Sequence, residues 1–175
     1  TTGGAGAVVD TVTGGADTTG DKIQISGAIA IASGDSLARV NTVEQLVAAT
    51  ASGAALTESI VLNSDTVISS IRTIDLSGET NAASTGNIVL TGVTGAIATT
   101  LKGVNGGGNN TLTGGAGADT ITGGSGADTI TGAAGIDVLD GLAGNDIFAY
   151  ATSAEFITTG GAGAVVDTVT GGADT

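Results

Sequence analysis

The sequence predicts an all-β chain wound as a right-handed parallel β-solenoid, interrupted by one short helix. Three observations predict it. Residues 105–149 form five consecutive nine-residue units, the β-branched segments upstream of them come at shortening intervals, and the composition excludes a bulky core. With 32 Gly, 2% aromatic residues and no Pro, Cys, Met, Trp or His, the chain cannot fill a globular interior. It can fill a thin ladder of Ile, Leu, Val and Ala between stacked coils.

From the N-terminus, residues 1–18 (TTGGAGAVVDTVTGGADT) are repeated identically at residues 158–175, a period of 157 residues. A cloning duplication would leave this pattern, and so would a window cut from a longer tandem array. Residues 23–31, IQISGAIAI, alternate and read as strand. Residues 35–52 read as helical, with Val43, Leu46 and Val47 on one face. Asn41 and Glu44 are spaced as a capping box and Gly53 is placed to stop the helix, which puts it near 41–52. Strands return over residues 59–103 as SIVLN, TVISSI, TIDLS, NIVLTG and ATTLKG. The steps from Leu76 to Leu90, Leu101 and Leu112 are 14, 11 and 11 residues and then fall to nine, so the coils shorten into the repeat.

Within each unit, glycine occupies the fourth place (Gly108, Gly117, Gly126, Gly135, Gly144) and, in the first three, the second (Gly106, Gly115, Gly124). The sixth place holds Asn110, Asp119, Asp128, Asp137 or Asp146, and the eighth Leu112, Ile121, Ile130, Leu139 or Phe148. Six residues suit a turn, because glycine permits positive φ and lets carbonyls crowd together. The last three suit a strand whose central side chain points inward. Two units then close one coil. Asn110, Asp128 and Asp146 stack on one edge, Asp119 and Asp137 on the other. Rungs lie roughly 4.8 Å apart, where two carboxylates at an effective dielectric of 20 repel by about 3 kcal/mol. A hard divalent cation reverses that sign, since carboxylates and turn carbonyls supply the oxygen ligands that calcium accepts, and binding then becomes part of folding.

The nonapeptides of residues 105–149 resemble the array of the RTX family. The resemblance implies a calcium-binding β-roll, Ca2+ held by the sixth-place acids and the second- and fourth-place glycines named above, and type I secretion to the exterior of a Gram-negative bacterium. Asn105 and Asn110, and Ala133 and Leu142 in place of a second glycine, depart from the pattern and imply weaker end sites. RTX blocks commonly close with Asp-x-Phe-x-aromatic and, later, an Asp-Lys-Ile strand. Asp146, Phe148 and Tyr150 match the first, and Asp21, Lys22 and Ile23 the second. The expected organisation is therefore a junction over 1–26 that completes the roll of a preceding copy, a β-helix over 27–104, the roll over 105–149, and the start of the next junction over 150–175. Asp10, Asp17 and Asp21, or Asp167 and Asp174, are expected either to hold a further calcium there or to be solvated turn acids. Residues 71–150 are also similar to RTX-type surface-layer proteins.

The formal net charge of −13, with Lys22, Arg39, Arg72 and Lys102 as the cations, argues against nucleic acid as a partner. No apolar run is long enough to span a bilayer, and no signal-peptide pattern opens the sequence. Without His or Cys, no Ser-His triad, Cys-His pair or His-ligated zinc site forms within these residues, and no motif joins Asp35, Glu44, Glu58, Asp65, Asp75 and Glu79. The expectation is a non-enzymatic structural module whose partners are further copies of itself, with cell-surface polysaccharide as a further candidate. Two alternatives stand beside a surface layer, sheath or filament: a spacer in a giant adhesin, and the calcium-binding appendage of an exported enzyme.

Overall fold

The computed structural model describes residues 12–13, 21–25, 30–31, 40–41, 43–48, 54–62, 71–91, 95–152 and 167–173. All regular structure among them is strand, and every pairing is parallel. One sheet stacks β2 (Lys22–Ile25), β5 (Gln45–Ala48), β7 (Thr73–Asp75), β9 (Thr100–Lys102), β11 (Thr120–Gly124), β13 (Val138–Leu142) and β15 (Thr168–Thr170). The second stacks β3 (Ala30–Ile31), β6 (Thr57–Val61), β8 (Thr85–Val89), β10 (Asn110–Thr113), β12 (Thr129–Thr131) and β14 (Ile147–Phe148). A separate pair joins β1 (Val12–Thr13) to β4 (Val40–Asn41). Consecutive strands from β5 onward alternate between the two sheets, which is the winding of a solenoid.

Register places like on like. Ile23, Leu46, Ile74, Leu101, Ile121, Leu139 and Val169 are successive partners up one sheet. Ile60, Ile88, Leu112, Ile130 and Phe148 run up the other. Ile60, Ile88, Leu101, Leu112, Ile121 and Ile130 are wholly inaccessible to solvent, so the core is two facing columns of aliphatic side chains, as the composition requires. From Leu56 to Asp137 the rung length contracts. Hydrogen-bonded partners on adjacent rungs are 28 residues apart at Leu56 and Ser84, 27 at Asp75 and Lys102, 20 at Thr99 and Asp119, and 18 at Asp119 and Asp137.

The expected helix near 41–52 is not formed where the chain is described. Residues 45–48 are β5, with Leu46 and Ala48 buried and Gln45 and Val47 half-buried. Glu44 does not cap a helix. Its Oε2 accepts the Asp21 N–H at 3.2 Å, and its carbonyl accepts the N–H groups of Arg72 and Thr73. The face formed by Val43, Leu46 and Val47 is compatible with either period over so short a window. The ladder decides it: as strand, Leu46 stacks between Ile23 and Ile74, and the β-branched valines keep the χ1 freedom a helix would restrict.

A second correction concerns the first repeat unit. Lys102 pairs with Thr122, so Gly103 rather than Asn105 lies one rung below Gly123. The turn over residues 103–110 is thus two residues longer than the turns that follow it. From Gly108 onward the first unit keeps the repeat's spacing, with Gly126, Asp128 and Ile130 stacked on Gly108, Asn110 and Leu112.

Candidate metal centre

Each repeat turn delivers its acid to the residue before a strand. Asp119 precedes β11, Asp128 β12, Asp137 β13 and Asp146 β14, while Asn110 opens β10. Because successive strands belong to opposite sheets, the acids separate into two columns, as the sequence spacing predicts. The columns are tied by a repeated hydrogen bond in which each acid accepts the main-chain N–H one rung earlier. Asp119 Oδ1 accepts from Thr99 N–H at 2.7 Å, Asp137 Oδ1 from Asp119 at 2.7 Å and Asp167 Oδ1 from Asp137 at 2.8 Å. On the other edge Asp128 Oδ1 accepts from Asn110 at 2.6 Å and Asp146 Oδ1 from Asp128 at 2.9 Å.

One carboxylate oxygen of each acid is thereby committed to the fold. The second oxygens of Asp128, Asp137 and Asp146 are buried and have no hydrogen-bond partner in the protein. An unsatisfied charged oxygen of this kind costs at least about 1–3 kcal/mol. Burial raises the affinity of the Asp128 and Asp137 carboxyls for protons. It outweighs the Asn110 hydrogen bonds at Asp128, and with the charges of Asp167 and Asp119 it lifts Asp137 to about 6.

The glycines make the space into which these oxygens point. A Cβ at Gly114 would meet Asp119 Oδ2 and the Gly132 carbonyl, and one at Gly123 would meet Asp128 Oδ2 and the Gly141 carbonyl. Gly132 and Gly141 stand likewise against Asp137 Oδ2 and Asp146 Oδ2. These first-place glycines are site residues that the sequence reading passed over, although they recur every nine residues. The fourth-place glycines stack on carbonyls of the rung before: Gly144 on Gly126 and Gly126 on Gly108, Gly135 on Gly117 and Gly117 on Ile97, with Gly108 on Ser84. Gly106 lies against the Asn81 carbonyl and Gly124 against that of Val104, while Gly115 donates its N–H to Asp119 Oδ2 at 2.8 Å. Ala133 and Leu142, where the second glycine is missing, keep positive φ of 72° and 68°, so the turn geometry is imposed on them.

This donor set fits a hard cation. It offers carboxylate and peptide oxygens only, and among the described residues no three acidic side chains gather at one point. The acids of adjacent turns and the glycine carbonyls would hold calcium together. A model of RTX calcium-binding nonapeptide repeats, four copies, matches residues 104–139 and 123–150. The chain carries an RTX calcium-binding array. No curated protein and no solved structure matches the chain. Calcium, when bound, would supply the positive charge that the stacked acids lack. The aspartates orient through their Oδ1 bonds, and the absent Cβ atoms keep the turns open.

Asn110 behaves differently from the aspartates. Its Oδ1 accepts Val104 N–H at 2.9 Å, and its Nδ2 donates to the Val104 carbonyl at 3.2 Å and to Asp128 Oδ1 at 2.9 Å. An amide N–H thus faces the carboxylate where the other turns present bare oxygen, and the column closes. Asn110→Asp would set oxygen against oxygen there. The expected result is one more calcium per chain by titration calorimetry and a lower melting temperature in calcium-free buffer; unchanged stoichiometry would refute this role. One rung earlier a side chain does the cation's work. Lys102 Nζ pairs with Asp75 Oδ2 at 3.0 Å, and although burial opposes it, Ser77 and Lys102 together hold Asp75 below the usual carboxylate range.

Proposed function

We propose that this chain is the calcium-stapled structural module of a secreted bacterial surface protein that assembles into a layer, sheath or filament. The observation that carries the reading is the placement of its exposed apolar side chains. Ile136, Val138, Leu142, Ile147 and Val169, the large exposed hydrophobics among the described residues, all belong to the last coils of the solenoid. An apolar outer face of this kind is suited to contact with another copy. The calcium dependence of the RTX array suits a chain exported before it folds, since calcium outside the cell would then set when it becomes rigid. A tandem spacer in an adhesin would use the same contact between copies, with a dissimilar terminal domain beyond it.

Electron microscopy of the native material with calcium and after chelation tests this. Ordered arrays that dissolve on chelation and re-form with calcium are expected. Arrays indifferent to calcium, or dispersed single chains in both conditions, would overturn it.

A further inference from the structure

The geometry points to the edge of β14 that no other described strand covers as the place where a second copy of this chain docks, its β2 lying parallel to β14 with Ile23 over Phe148. This rests on the assembling module proposed above and names the interface that such a module would use.

The argument starts from the duplicated segment. Residues 11–13 and 168–170 are the same three residues, Thr-Val-Thr, in identical surroundings of sequence. As β15, this segment pairs with β13, the rung before it, with Val169 opposite Leu139. As β1, it pairs with β4, the rung after it, with Val12 opposite Val40. One sequence therefore makes the preceding-rung contact in one location and the following-rung contact in the other. A strand inside a solenoid makes both at once. With β1 of a second copy taking the place of β15 of the first, whose own strand it displaces, the two solenoids join without a linker.

That replacement fixes where the next strand goes. In the roll, the strand after β13 lies in the other sheet as β14, so the strand after residues 11–13 belongs beside β14. Among the described residues β14 is the terminal strand of its sheet, and β2 is the terminal strand at the opposite end of the other. The connection has a precedent in length: Thr11 to Lys22 is eleven residues, the same as Thr100 in β9 to Thr111 in β10. The chemistry also matches. Asp21-Lys22-Ile23 falls in register with Asp146-Ile147-Phe148 and Asp128-Thr129-Ile130. Asp21 then reaches the Asp146 N–H as Asp146 reaches that of Asp128. Phe148 is packed on the core with Ile147 exposed beside it, so the edge offers an apolar surface to cover.

Cysteine pairs in the full chain test the register, since the sequence holds no cysteine. Neighbouring residues on parallel strands lie roughly 4.8 Å apart, within the Cα range of a disulfide. Lys22 and Ile147 sit at opposite ends of one chain, so their bond can form only between chains. With calcium and mild oxidant, the Lys22→Cys, Ile147→Cys variant is expected to give a reducible ladder of dimers and higher species. A Gln24→Cys, Ile147→Cys variant, out of register, should give much less. Gly172→Val should lengthen the ladder, because its side chain would run into the Leu142 carbonyl and unseat the chain's own β15, while Gly15 of the incoming copy is intact. Adding Gly15→Val should then shorten it. Monomers throughout, or equal ladders from both cysteine pairs, would overturn the interface if calcium still induces β-structure by circular dichroism. Failure of calcium to induce β-structure would instead overturn the functional reading, and the interface with it.

Discussion

Calcium removal is expected to melt residues 103–150 while the upstream coils keep most of their amide protection, as hydrogen exchange with and without chelator would show. The adjacent acid pairs Asp119–Asp137, Asp137–Asp167 and Asp128–Asp146 each lie one rung apart. At about 3 kcal/mol of repulsion per pair, the three together rival the whole stability of an ordinary domain, about 5–15 kcal/mol. The Oδ1 bonds to main-chain N–H groups offset part of this at about 1.5–3 kcal/mol each. They leave the buried second oxygens uncompensated. Upstream the acids do not stack on one another: the Asp75 charge is met by Lys102, and Glu79 accepts through Oε1 from Asn81 N–H and Ser84 Oγ, with its Oε2 buried and unpartnered. Two substitutions separate the charge from the hydrogen bond. Asp128→Ala removes the acceptor of the buried Asn110 N–H as well as a ligand, and should lower stability with calcium by about 3–5 kcal/mol. Asp128→Asn keeps the shape and should weaken calcium binding while raising the melting temperature of the calcium-free protein. Equal loss from both variants under both conditions would show that the charge is immaterial.

The parts of this site that could be read from sequence are those in which one residue repeats at a fixed interval. The sixth-place acids, their division between two edges and the inward eighth-place column follow from the period of nine alone. Three features escaped because their cause is the neighbouring rung. Gly103 takes the place of a repeat-starting glycine only because Lys102 pairs with Thr122, and nothing within residues 103–113 marks the two-residue insertion. The strand at residues 45–48 is chosen over a helix by Ile23 and Ile74, which lie far along the chain. The third is the placement of Asp167, a junction candidate from sequence, directly above Asp137 across a gap of 30 residues. Here the signal was present: GGAGAVVDTVT is the unit GGAGADTIT with two valines inserted, a resemblance visible once the unit is allowed to stretch. Asp10, Asp17 and Asp174 lie outside the described residues.

The calcium-free and calcium-loaded proteins are expected to respond to acid with opposite signs. Without the ion, Asp137 in the fold holds its proton up to about 6, whereas in the unfolded chain an aspartate loses it near its ordinary value of about 3.9. Between those limits the folded state binds more protons, so stability falls as the pH rises. The contribution is fully present below about pH 4 and lost above about 6. For Asp137 it amounts to about 3 kcal/mol, from a shift of roughly two units at 1.36 kcal/mol each, and Asp128, also raised, adds in the same direction. With calcium the ligands stay ionised in the fold while the unfolded aspartates take up protons near about 3.9, so stability falls as the pH drops through about 4. Asp75, held low by Ser77 and Lys102, reinforces that loss at the acid end under both conditions. Thermal melts from pH 4 to 7.5 in calcium-free and calcium-containing buffers should therefore converge near the acid limit and separate steadily toward neutrality. Parallel curves would mean that the carboxyl columns gain no protons on folding, and that the unpartnered oxygens are not what the ion satisfies.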